Sequence, residues 1–265
     1  MEFKNKTVLV TGAGGGSGKA IAEAFLKAGA VVIAADLKIP QWHEATDMFH
    51  PVSLDVSEEV AVDKVVSEYC EKYGCIDILV NNAGIAIGSP LIDFTLDIWQ
   101  KNFKVNAEGT FLCTRAVVRY MVKKNVPGRI INIASIAGKN GFANSSAYCA
   151  SKAAVIGFTR ALALELGPYG ITVNAICPGS VATPMIESVI DTISSNSGMS
   201  KTEVRTMMES GIPLKRFQEP EDVASLVCFL ASDYGSNISG ESMNGCPTKQ
   251  GFRLSRWLKL YTKRL

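Results

Sequence analysis

The sequence predicts an α/β fold, a single-domain doubly wound parallel sheet with helices on both faces. Three observations point there: short apolar runs alternating with helical periodicity, turn residues closing each run, and 47% apolar content over 265 residues. Residues 6–10 read as a strand running into Thr11-Gly12-Ala13-Gly14-Gly15-Gly16-Ser17-Gly18. Ala20, Ile21, Ala24, Phe25 and Ala28 then recur at helical spacing, Gly29 ends the run, and residues 31–35 form a second buried strand. A strand-like stretch at 51–54 follows, then a helix near 57–73, a strand at 76–81 and a long helix about 95–123. After these come a strand at 129–134, a helix at 146–166, a strand at 171–177, and a helix opened by Glu219-Pro220 and running to Ala231. Strands alternating with helices imply parallel pairing by right-handed crossovers, with ligands gathered outside the carboxyl ends of the strands.

No run of eighteen or more apolar residues is present, and the first residues lead directly into a strand, so a soluble, cytoplasmic chain with no membrane partner is expected. The seven cysteines (70, 75, 113, 149, 177, 228 and 246) contain no C-x-x-C pair and fall mostly in apolar segments, which reads as reduced core thiols. Only His43 and His50 are available and neither sits in a cluster of ligands, so no metal site is expected. The domain is expected to span 1–245, with 246–265 an atypical basic tail. Six of the 27 basic residues and none of the 25 acidic ones fall in 249–265. Three readings of the tail compete: an extension without a role, which is preferred, a helix docked at a subunit interface through Leu254, Trp257, Leu258 and Tyr261, or a segment attracted to acidic surfaces. No nucleic-acid recognition motif accompanies the charge.

Glycines at the first strand-to-helix turn let a phosphate approach the backbone, and the helix amino terminus offers free N–H groups and partial positive charge. Gly12, Gly15, Gly16, Ser17 and Gly18 are therefore candidates to hold a dinucleotide pyrophosphate, although a strict G-x-G-x-x-G pattern fails at Ser17 and a ligand-free flexible turn is the alternative. Asp36 closes the second strand, where a carboxylate accepts hydrogen bonds from an adenosine ribose and repels a 2′-phosphate, so NAD is expected over NADP. Lys38 is the only nearby cation that argues otherwise. Tyr148 and Lys152 stand four apart on a helix and share a face, so the ammonium is expected to favour the phenolate and make Tyr148 a proton-transfer group.

Taken together and in order, these motifs resemble the short-chain dehydrogenase/reductase family over about residues 1–245, which implies a Rossmann-type sheet. Further segments match the family's pattern: Asp55-Val56, Asn81-Asn82-Ala83-Gly84, Asn106, Ser135, Pro178-Gly179, and Val181 with Thr183. The resemblance implies an adenine contact at Asp55 and Val56, and a ribose border at Asn82, Ala83 and Gly84. It implies a nicotinamide carboxamide loop at Pro178, Gly179, Val181 and Thr183, and catalytic Asn106, Ser135, Tyr148 and Lys152, the last two also touching cofactor. Each has a plainer alternative: Asp55 as a cap of the next helix, Asn106 as the mark of a helix kink, Asn81 and Asn82 as turn residues. Residues 184–213 read as a substrate lid, or else as a surface hairpin packed on the body. The expected activity is NAD-dependent interconversion of a secondary alcohol and a ketone, on a polyol, sugar or small hydroxyketone. Alternatives are a 3-oxoacyl thioester reductase, with Lys201, Arg205, Lys215 and Arg216 as a carrier-protein patch, and a non-catalytic nicotinamide sensor. A homo-oligomer, dimer or tetramer, is also implied, though the departure from the family's Val-Asp-Gly-Gly-like close at Met243-Asn244-Gly245-Cys246 weakens that expectation.

Overall fold

The computed structural model describes residues 1–245, apart from the side chain of Asn196; the basic tail and Cys246 lie outside the described residues. Seven strands form one parallel sheet: β1 (Thr7–Thr11), β2 (Val31–Asp36), β3 (Phe49–Ser53), β4 (Ile78–Asn81), β5 (Arg129–Ile133), β6 (Thr172–Cys177) and β7 (Ser242–Asn244). Their order is β3-β2-β1-β4-β5-β6-β7, so the winding reverses between β1 and β4 and opens a crevice there. Alternation along β1 shows why both faces are covered. Val8 and Val10 face one apolar cluster, built with α1 (Gly16–Lys27) and α8 (Pro220–Ala231). Leu9 faces the other, built with α2 (Glu59–Tyr73), α4 (Gly109–Lys124) and the end of α5 (Ser146–Leu166).

The long helix expected about 95–123 is not continuous. It divides into α3 (Leu96–Phe103), a π-helical turn (Lys104–Glu108) and α4, with Asn106 in the widened turn. Such insertions free one residue from the regular ladder and re-aim its side chain. The strand expected at 76–81 is assigned from Ile78, although the Asp77 backbone already bonds Thr7 and Arg129 on either side, and its side chain adds an acceptor for the Thr7 amide (2.9 Å) and an ion pair with Lys6.

Residues 184–213 form a helical hairpin, α6 (Pro184–Ser197) and α7 (Lys201–Ser210), the second started by a reciprocal Ser200/Glu203 capping box. The hairpin has its own apolar cluster of Ile190, Ile193, Val204 and Phe217. Its two roots are joined by backbone pairing: Ala182 donates to the Gln218 carbonyl (2.8 Å) and Gln218 donates to the Ser180 carbonyl (2.9 Å). Despite its departure from the family's usual close, the 242–244 segment pairs with β6 in register, Ile176 opposite Met243. Lys139 reinforces that edge, donating to the Ser242 carbonyl and to Asn244 Oδ1 (2.8 Å). No helix among the described residues is long and apolar enough to cross a membrane. Among the described residues six cysteines are free, all buried except the half-buried Cys149. Among the described residues no group of three or more His, Cys, Asp or Glu side chains could hold a metal ion.

Candidate active site

A cleft of about 1290 Å³ runs along the carboxyl ends of the strands. It is lined by the glycine turn, the ends of β2, β4, β5 and β6, the start of α5 and the α6–α7 hairpin. Every residue expected to be catalytic or to touch cofactor borders it except Asn106, which is fully buried; Asn81 lies in the sheet beneath, and of Lys38, Lys201, Arg205, Lys215 and Arg216 only Arg216 is in the lining.

The glycine turn is held from three sides. Asn82 donates through Nδ2 to the carbonyls of Thr11 and Gly12 (3.0 Å each), and Thr11 Oγ1 accepts from the amides of Asn82 and Ala83 (3.1 Å each). Asp36 Oδ2 accepts from the Gly14 amide (2.8 Å), while the indole of Trp42 donates to the Ala13 carbonyl (2.8 Å). Gly12 has φ +67° and a Cβ there would lie 2.8 Å from Ala83 Cα; at Gly18 a Cβ would lie 1.9 Å from the Gly12 carbonyl oxygen. By contrast a Cβ on Gly15 would meet nothing within 4 Å, so the turn's outer surface faces open cleft. That arrangement fits a dinucleotide: a backbone bare of side chains, free amides at the start of α1, and an acid at the end of β2.

Asp55 combines both readings open for it. It borders the cleft, and its Oδ1 accepts from the amide (2.9 Å) and hydroxyl (2.7 Å) of Ser57 ahead of α2. Asn106 likewise serves the backbone from inside a kink. Its Oδ1 accepts from the Ile85 amide (2.8 Å), and its Nδ2 donates to the Ile85 carbonyl (2.9 Å) and to Ser151 Oγ (2.9 Å). Asn102, one turn earlier, brackets Ile87 in the same way (3.3 and 3.0 Å), so two asparagines clamp the chain that leaves Gly84.

Ser135, Tyr148 and Lys152 come together at the cleft floor. The Ser135 hydroxyl caps the following turn by accepting from Ala137 (3.1 Å). Lys152 is buried and donates to the Ile133 carbonyl (2.8 Å), with its ammonium 5.9 Å from the Tyr148 ring centre. Burial pushes the Tyr148 phenol above its usual value, opposed by its hydrogen bond to Ser135. Burial also brings the Lys152 ammonium down to about 8. The sequence-based expectation is a phenol lowered by Lys152; burial is the largest influence on Tyr148 and acts in the opposite direction.

The loop at 178–183 is positioned by a residue the sequence did not mark. Gln218 Oε1 accepts from the Gly179 amide (2.9 Å) and its Nε2 donates to the Gly245 carbonyl. No motif surrounds Gln218, so only its polar character beside Phe217 and Pro220 could have signalled it. Trp42 was missed for the same reason, since its partner lies 29 positions away.

The family model for short chain dehydrogenase matches residues 6–194. Among curated proteins, the meso-2,3-butanediol dehydrogenase of Serratia marcescens is 37% identical over 253 residues, covering 92% of this chain and 94% of its own. The 3-oxoacyl-acyl-carrier-protein reductase of Thermotoga maritima is 37% identical over 248 residues, covering 91% and 96%. A solved actinorhodin polyketide ketoreductase with NADPH superposes with a TM-score of 0.85 at 32% identity, covering 93% of this chain and 98% of that one. With its Rossmann-type sheet and this cleft, the chain is an oxidoreductase that binds a nicotinamide cofactor. It belongs to the short chain dehydrogenase family.

Proposed function

We propose that this protein interconverts a secondary alcohol and a ketone with NAD(H), acting as a cytoplasmic homo-oligomer on a small diol or hydroxyketone. The observation that carries the reading is that Ser135, Tyr148 and Lys152 border the same cleft as the glycine turn. When bound, the nicotinamide supplies or accepts the hydride. Gly12, Gly15, Gly16, Ser17 and Gly18 would hold the pyrophosphate, Asp36 the adenosine ribose, and Asp55 and Val56 the adenine. Asn82, Ala83 and Gly84 would border the cofactor, with Pro178, Gly179, Val181 and Thr183 at the carboxamide.

Tyr148 Oη gives a proton to the substrate oxygen in reduction and takes it back in oxidation, while Ser135 Oγ donates a hydrogen bond to that oxygen. Lys152 holds the nicotinamide ribose and supplies positive charge beside the phenolate. Asn106 acts from beneath the cleft, fixing the Ile85 backbone and Ser151 next to the catalytic group rather than touching substrate. NAD is favoured over NADP because Asp36 would confront a 2′-phosphate with like charge.

Small alcohols are favoured over carrier-bound thioesters by the state of the lid's cations. Lys201 pairs with Asp191 (2.6 Å), Arg216 with Asp222 (2.8 Å), Arg205 with Glu187, and Lys215 donates to the Ser210 carbonyl. An acidic carrier protein would have to compete with these exposed pairs. Leu164 and Phe111, exposed on α5 and α4, supply apolar surface for a second copy, a point that light scattering on the full chain decides. The test of the reaction is Tyr148→Phe. It keeps NADH binding and loses nearly all turnover, and unchanged turnover would overturn the assignment.

A further inference from the structure

The part of the cleft not taken up by cofactor candidates is walled by four separate pieces of chain: the 85–86 segment after Gly84, the 136–145 loop between Ser135 and Tyr148, the start of α6, and the end of α7 with the residues after it. Most of what these pieces present is apolar, Ile85, Phe142, Met185, Val189, Met208 and Leu214, and the polar Lys139, Asn140 and Ser145 stand on the 136–145 loop rather than on α6. Met185 and Val189 stand one turn apart on α6 and remain 45% and 38% exposed, and Leu214 is 63% exposed. Large apolar side chains left open to water inside a cleft gain from a ligand of like character.

The charged groups that border the cleft each hold a hydrogen-bond partner, but only Arg216 and Asp222 neutralise each other. Lys152 donates to the Ile133 carbonyl, Lys139 to Ser242 and Asn244, and Arg216 and Asp222 pair with each other. Asp36 and Asp55 are held by Gly14 and Ser57. A chain of hydroxyls laid on α6 would lose water against methionine and valine without regaining hydrogen bonds there.

Resting on the alcohol–ketone reading above, we propose that the substrate is a ketone or secondary alcohol bearing an alkyl substituent, and that the Phe142–Met185–Val189 wall selects it against polyhydroxylated substrates. The reacting oxygen meets Ser135 and Tyr148, and the alkyl group lies against α6. Each added methylene buried on that wall raises kcat/KM about fourfold until the wall is covered. A ketohexose, offering hydroxyls where the wall offers none, falls about a hundredfold below the matched diketone.

The experiment is NADH-dependent reduction of 2,3-butanedione, 2,3-pentanedione and 2,3-hexanedione beside fructose and fructose 6-phosphate, with the unmodified protein and with Met185→Gln. A rise along the diketones that Met185→Gln flattens, with both sugars far below, supports the proposal. Turnover that is level along the series, or fastest on either sugar, overturns it while leaving the reaction intact. Calorimetry with propanamide, butanamide and pentanamide in the NADH complex reads the same wall without chemistry. Affinity rising along the amides supports the proposal even where no ketone is reduced, and level affinity overturns it.

Discussion

Asn106 and Lys152 meet at Gly84: a methyl group built on that glycine would lie 3.1 Å from Asn106 Oδ1 and 3.2 Å from Lys152 Nζ. The space is closed by two side chains that are themselves committed, one to Ile85 and Ser151 and the other to Ile133. Gly84→Ala is therefore expected to fold, because the misfit is only a few tenths of an ångström, yet to displace the ammonium. Turnover should fall tenfold or more with NADH affinity changed less than threefold. Steady-state kinetics with a cofactor titration checks this, and a variant with wild-type kcat would show that the lysine has room to move.

Gly18→Ala has a harsher expected outcome. Its Cβ would lie 1.9 Å from the Gly12 carbonyl oxygen and 2.5 Å from Asn82 Nδ2, so the backbone of the turn must open. The expected cost is about 2–4 kcal/mol in urea unfolding, with loss of NADH binding.

Asp36→Asn keeps an acceptor for the Gly14 amide and removes only the charge. The kcat/KM for NADPH should rise tenfold or more while that for NADH falls by less. No gain with NADPH would mean that shape, not charge, excludes the extra phosphate.

Lys152 links catalysis to stability. Its folded value of about 8 lies below the usual lysine value of 10.5, so between these two pH values the unfolded chain binds more protons than the folded one. This group's penalty is fully present below about pH 8 and disappears as pH rises toward 10.5, a change of about 3 kcal/mol. Lys152→Met should be inactive and more stable than wild type at pH 7, with the difference shrinking above pH 8. Paired urea titrations across pH 6–10 measure it, and a constant difference would contradict the assignment.

Tyr148 titrates in the other sense. Burial holds its phenol protonated to higher pH than usual, so the acid needed for reduction is present at neutral pH and the base needed for oxidation is scarce. Oxidation kcat/KM should climb steadily from pH 7 to 10, while reduction stays level and then declines. Initial rates in both directions on one ketone–alcohol pair give both profiles.

Much of this was legible in the sequence, because it depends on neighbours in the chain. The glycine turn, Asp36 and the i,i+4 pair of Tyr148 and Lys152 are local patterns, and each borders the cleft. What was not legible depends on partners far along the chain. Gln218 reaches Gly179 across 39 positions, and Trp42 reaches Ala13 across 29. A kink at Asn106 was one of the readings open from sequence, but its π-helical form and its Ile85 partner 21 positions earlier were not. The Tyr148 and Lys152 shifts also escaped, because spacing reports who is adjacent and not how much water is lost.

The α6–α7 hairpin has an apolar heart of its own and has its two roots fastened together at Ala182 and Gln218. Such a unit is exchangeable as a cassette: a relative's hairpin grafted between those roots, with Thr183 kept, would change the α6 side of the substrate wall and leave the glycine turn and the sheet as they are. Divergence of taste within this architecture is cheap for that reason, since a new menu requires rewriting about thirty residues and none of the sheet.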